Sequence, residues 1–168
     1  MALGRFGGGG GGGSPGAPGN TIAQFEFVTS TQPSYQEAGG ARYVPLPVDA
    51  DTSQEMQCIA PATGTANVSI FYRMSAANGG DVELFVDRRV TALDGGDIDA
   101  TVTTGAEFVV TPGNDALTHT VPSTAHASLS FSVTEGQFVY LSLNRTADAE
   151  DTHTADMRIY RVYMKVVP

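Results

Sequence analysis

Asp148, Glu150, Asp151, His153 and Asp156 crowd the stretch NRTADAEDTHTAD, Asn144 to Asp156. Side chains of these types can hold a hard cation or pair up for acid–base work. An EF-hand loop would need alternating Asp or Asn, a Gly and a closing Glu, an order missing here. DGGDIDA (Asp94, Asp97, Asp99) and DADTSQE (Asp49, Asp51, Glu55) are two more acidic loops, and all three together could bind Ca²⁺ if the fold gathered them at one end. As spaced in the sequence they are expected to be solvated connections, and no metal is assigned.

The other chemical signatures are thin. His119, His126 and His153 show neither the i, i+4 spacing of a zincin nor a neighbouring CxxC. There is no G-x-S-x-G elbow, and the Gly7 to Gly13 run lacks the Lys-Ser/Thr of a phosphate loop. Cys58 is the one cysteine, so no internal disulfide is possible, and its apolar surroundings (EMQCIAP) mark a small core residue. Trp is absent, which weakens a sugar-processing groove. The expectation is a chain that is not an enzyme, with no catalytic residues and no cofactor.

The formal charge of −9, with 9 Lys+Arg and no basic run, excludes nucleic acid and anionic membrane as expected partners. No segment approaches the ~20 apolar residues of a membrane span. The N-terminus also lacks the apolar run of a secretory signal, so synthesis and assembly in a cytoplasm are expected.

The elements that must carry these residues read as β. Hydrophobic residues make up 41% and charged residues 16%, with Thr, Ser, Val and Gly prominent, a mix suited to strands and turns. Residues 1 to 20 are a Gly/Pro-rich arm with few side chains to bury, so it is disordered alone; residues 21 to 168 form one domain. SLSFSV alternates cleanly, with Leu129, Phe131 and Val133 on the core side. ANVSIFYRMSAANGGDVELFVDRRV reads as a hairpin about Asn78 to Gly80. Further strands are expected in TIAQFEFV, ARYVPLPV, EMQCIA, ATVTTGAEFVVT, LTHTV, QFVYLSLNR and MRIYRVYMKVV, with Pro45 and Pro47 placing the second on an edge. The expected fold is all-β, a single antiparallel β-sandwich of the jelly-roll kind.

The segment VTEGQFVYLSLNRTADAEDTHTADMRIYRVYMKV, Val133 to Val166, resembles a C-terminal pattern of tailed-bacteriophage virion proteins. In that pattern a turn, here Glu135-Gly136, leads to a strand ending in Arg145. An acidic connection follows, here Asp151-Thr152 and Ala155-Asp156, with Ala155 where Gly is usual, and then a final strand. The resemblance implies a β-sandwich used in particle structure and brings no catalytic residue. Asp151, Thr152 and Asp156 are expected to bond to nearby backbone N–H groups and stiffen the connection.

The expected function is therefore that of a non-enzymatic virion protein, a capsid decoration or cement protein bound to the major capsid protein or another virion component. Its arm, with Leu3, Arg5 and Phe6 as anchors, would reach up to about 70 Å if extended. Gly13, Gly16 and Gly19 at triplet spacing suggest a homotrimer. Two alternatives stand beside it: a tail fibre, knob or adaptor component that binds a host glycan, and a calcium-dependent carbohydrate-binding module.

Overall fold

The computed structural model describes residues 21–28, 36–38, 40–48, 52–97, 102–112 and 117–168. The arm, and with it Leu3, Arg5 and Phe6, lies outside the described residues, as do Asp49, Asp51 and Asp99. Twelve strands run in chain order: β1 (Ile22–Gln24), β2 (Glu26–Phe27), β3 (Gln36–Ala38), β4 (Ala41–Leu46), β5 (Thr52–Ile59), β6 (Gly64–Met74), β7 (Val82–Thr91), β8 (Phe108–Val110), β9 (His119–Val121), β10 (Ser130–Val133), β11 (Phe138–Arg145) and β12 (Met157–Val167). A 3-10 turn, Ala127–Leu129, precedes β10.

The strands form two antiparallel sheets. The seven-stranded sheet follows the order β10-β6-β12-β4-β3, with β1 beside β12 and β9 beside β6, and the five-stranded sheet follows β2-β5-β11-β7-β8. Successive strands from β4 to β7 change sheets at every step, and the late strands β11 and β12 enter between early ones. Interleaving of β4-β12-β6-β10 over β5-β11-β7-β8 is the double Greek key of a jelly roll.

Alternation explains the core. Val68, Ile70, Tyr72 and Met74 of β6 face Val82, Leu84 and Val86 of β7 across the sandwich, joined by Leu141 and Leu143 of β11 and Met157, Ile159, Val162 and Met164 of β12. Leu129, Phe131 and Val133 are buried as expected, but Ser128 is buried too, because Ser128 and Leu129 belong to the 3-10 turn and the alternating strand begins only at Ser130. Phe25, between β1 and β2, plugs the core where the chain crosses from one sheet to the other, so TIAQFEFV is two strands in two sheets instead of one.

The expected hairpin at Asn78 to Gly80 is corrected. β6 and β7 lie in opposite sheets and do not pair, because the apolar faces of both strands meet through the core and not along a ladder. Gly79 and Gly80 do take positive φ (67° and 103°), but they shape an arch between the sheets. A Cβ on Gly80 would lie 2.8 Å from the Thr152 carbonyl oxygen, so only Gly lets the arch pack on the β11–β12 connection. β4 has β12 on one side and β3 on the other, and β3 pairs only with Ala41 to Tyr43; at Pro45 the paired neighbour is β12.

Candidate functional site

The acidic connection is organised around a buried arginine. β11 ends in Arg145, whose side chain is fully buried and meets the Asp151 carboxylate through Nε (2.5 Å) and Nη2 (2.8 Å). Nη2 also donates to the His153 carbonyl (2.6 Å), and Nη1 to the carbonyls of Ala155 (2.8 Å) and Leu46 (3.3 Å). A planar five-donor fork suits this many acceptors, and a lysine could not replace it. Asp151 thus differs from the sequence expectation: its carboxylate serves the guanidinium, because a buried cation requires a nearby anion. Thr152 Oγ1 accepts from the Asp81 N–H (2.9 Å), and Asp156 Oδ1 from the Val48 N–H (3.3 Å), both remote in sequence. The Asp81 carbonyl in turn accepts from the N–H groups of Thr152 (3.0 Å) and His153 (2.8 Å). His153 is buried, with Nδ1 accepting from the Ala155 N–H (3.1 Å).

Asp151 and Asp156 are therefore committed to structure. Asp148 lies exposed beside Glu83 of β7 and Glu107, with the three carboxylates within 4.8 Å of one another. Asp94 and Asp97 occupy an exposed turn after β7, and Glu55 sits on β5 beside Tyr140. Burial, then the Glu55 contact, pushes that tyrosine up to about 12. Cys58 is half-buried against the core edge, and burial raises its thiol to about 12, far from a nucleophile's range. The contact of His126 Nδ1 with Ser128 Oγ at 2.8 Å belongs to the cap of the 3-10 turn, where Nδ1 also accepts from the Ser128 N–H.

An open groove lies on the outer face of the seven-stranded sheet. β4 borders β12 only at Met157 to Ile159 and β1 only at Tyr163 to Lys165; between them the Phe25 N–H donates to the Val162 carbonyl (3.0 Å), which leaves a gap at Tyr160 and Arg161. The β12 register shifts there, between Ile159 and Arg161. Ile159 and Val162 both point inward, so the bulge turns Tyr160 and Arg161 outward in succession. Tyr160, Arg161, Phe71, Tyr163, Ile22 and Gln24 line a space of about 560 Å³. It adjoins a second of about 610 Å³ that shares Gln24, Tyr160 and Arg161 and reaches Arg42 and Phe27.

Aromatic rings and cations alternate across this face. Tyr163 packs on Phe71 (ring centroids 5.8 Å apart), Tyr160 on Tyr43 (5.7 Å), and the Arg158 guanidinium lies 5.0 Å over the Tyr43 ring. Arg73 stands directly opposite Arg158 in the β6–β12 ladder, and Lys165 opposite Asn67. In a chain of net charge −9, the outer surface of β6 and β12 carries Arg73, Arg158, Arg161 and Lys165. Among the described residues none of the four has a carboxylate partner. Like charges facing across a ladder are destabilising, so Arg73 and Arg158 form a place where an anion is welcome. Sequence reasoning treated MRIYRVYMKVV as a plain strand. The signal was there in the apolar spacing, which steps by two except for the step of three from Ile159 to Val162.

No family model matches the chain, and no curated relative matches it. Solved structures with a similar strand layout include the insecticidal delta-endotoxin Cry8Ea1 from Bacillus thuringiensis (TM-score 0.47, 16% identity, 77% of this chain and 20% of that one). Others are a family 35 carbohydrate-binding module from Clostridium thermocellum (TM-score 0.43, 16% identity, 87% of this chain and 91% of that one) and the CBM22-1 xylan-binding domain of Paenibacillus barcinonensis Xyn10C (TM-score 0.43, 13% identity, 87% and 85%). The chain spans 20%, 21% and 26% of the toxin, an isomalto-dextranase from Arthrobacter globiformis T6 and a Podospora anserina mannanase. At these scores the likeness concerns sandwich layout and decides nothing about ligand or activity.

Proposed function

We propose that this chain is a non-catalytic binding module whose groove on the seven-stranded sheet takes a glycan bearing carboxylate groups. The observation that supports this most is the bulge at Tyr160, which sets an exposed arginine among half-buried aromatic rings. Flat apolar ring faces suit the C–H faces of a sugar, and a guanidinium fork suits a carboxylate. The groove has the volume of a small-ligand site, about 300–1,000 Å³. Tyr and Phe here take the place of the absent Trp. The residues that resemble a virion pattern build the Arg145 anchor, so they bear on the fold; a tail component that binds a host glycan would accommodate both readings.

Titration calorimetry with neutral and uronate-rich polysaccharides tests this. The uronate-rich glycan binds, and more weakly as salt rises. Arg161→Gln weakens the acidic glycan selectively, and Tyr163→Ala weakens any glycan that binds. Absence of binding across the panel, or binding indifferent to both changes, would overturn it.

A further inference from the structure

We propose that Glu83, Glu107 and Asp148 form a binding site for a hard divalent cation, Ca²⁺ foremost, on the outer face of the five-stranded sheet. This site is independent of the groove, which lies on the other sheet.

Three separate elements bring the carboxylates together. Glu83 points outward from β7, between the core residues Val82 and Leu84. Glu107 precedes β8 at the end of a segment laid flat on β7: the Gly105 N–H donates to the Val86 carbonyl (3.1 Å), and a Cβ on Gly105 would fall 2.4 Å from that oxygen. Asp148 follows Thr146, whose N–H donates to the Glu83 carbonyl (3.2 Å) as the last rung between β11 and β7. The Glu150 N–H then donates to Asp148 Oδ1 (3.0 Å) and fixes the carboxylate.

A second observation points to a missing ligand. Glu83 is only 5% exposed, yet its Oε2 is buried without a hydrogen-bond partner. Thr146 Oγ1, beside it on the same face, is likewise buried and unpartnered. A buried carboxylate oxygen with nothing to bond is costly and calls for an explanation. Glu107 and Asp148 are both exposed, so the cluster opens to solvent on their side.

The donor set selects the ion. All three ligands are carboxylate oxygens, with no His or Cys, which suits Ca²⁺ or Mg²⁺ and disfavours zinc and copper. Their mutual separation of up to 4.8 Å fits an ion bound at about 2.3–2.6 Å to each, with water completing the shell.

The test uses the full chain, freed of metal with EDTA and titrated with CaCl₂ by calorimetry and by thermal melting. One site and a CaCl₂-dependent rise in Tm are expected. Glu107→Gln and Asp148→Asn, both at exposed positions, each weaken the affinity at least about tenfold. Asp94→Asn, in the separate exposed turn, leaves it unchanged. No heat and no rise in Tm up to about 10 mM CaCl₂ would overturn the site, as would equal binding by both variants. Glycan titrations repeated in EDTA keep this result separate from that of the groove.

Discussion

Removing Asp151 tests the structure where its energetics are most concentrated. The Arg145 and Asp151 side chains are 0% and 1% exposed, and two of the guanidinium's five hydrogen bonds to described residues go to this carboxylate. Asp151→Ala strands a buried cation, and breaking a buried pair from one side costs about 3–5 kcal/mol. The carbonyls of Leu46, His153 and Ala155 still accept, so the lower half of that range is expected. Asp151→Asn keeps one acceptor oxygen but loses the charge, and about 2 kcal/mol is expected. For a domain of this size ~3 kcal/mol corresponds to a fall in Tm of roughly 6–12 °C. Urea denaturation of the parent, both single variants, Arg145→Met and the double variant Arg145→Met/Asp151→Ala gives the coupling energy. Arg145→Met leaves the anion and three carbonyls bare, so the double variant must be far less destabilised than the sum of the singles. A cost below about 1 kcal/mol for Asp151→Ala, or strict additivity, would refute the anchor.

Further expectations follow from other parts of the fold. Gly80→Ala forces a Cβ against the Thr152 carbonyl at a φ of 103°, so a loss of about 2 kcal/mol or more is expected in the same assay; an unchanged midpoint would mean the arch can shift. Glu83 holds its proton more tightly folded (about 7) than at its ordinary 4.5. Its contribution is thus full below about pH 4.5 and is lost as pH rises through about 7. In EDTA the melting temperature of Glu83→Gln should therefore fall less than the parent's across this window, and parallel curves would contradict the assignment. Deleting residues 1 to 20 should leave Tm within about 2 °C, because a Gly/Pro-rich arm supplies few side chains to a core. A larger drop would show that the arm packs on the sandwich.

Much of the architecture is local information. Strict alternation in SFSV (Ser130 to Val133) and in SIFYRM marks which side of each strand is buried, since side chains in a strand alternate with period two. The absence of helical period fixes the class, and the 79–80 glycines mark a sharp reversal. Alternation identifies a face but not a partner, which is why VSIFYRM and VELFVDRRV read as a hairpin although they face each other across the core. The same limit hid the sites. Arg145 and Asp151 stand six residues apart, but burial makes their pairing obligatory, and burial is a property of the packed sandwich. The step of three at Ile159 to Val162 could have disclosed the bulge; that Phe71 and Ile22 would frame it depended on the jelly-roll strand order. Glu83, Glu107 and Asp148 come from three elements distant in sequence, and only the closure of β11 against β7 and the lay of Gly105 on Val86 bring their charges within reach of one ion.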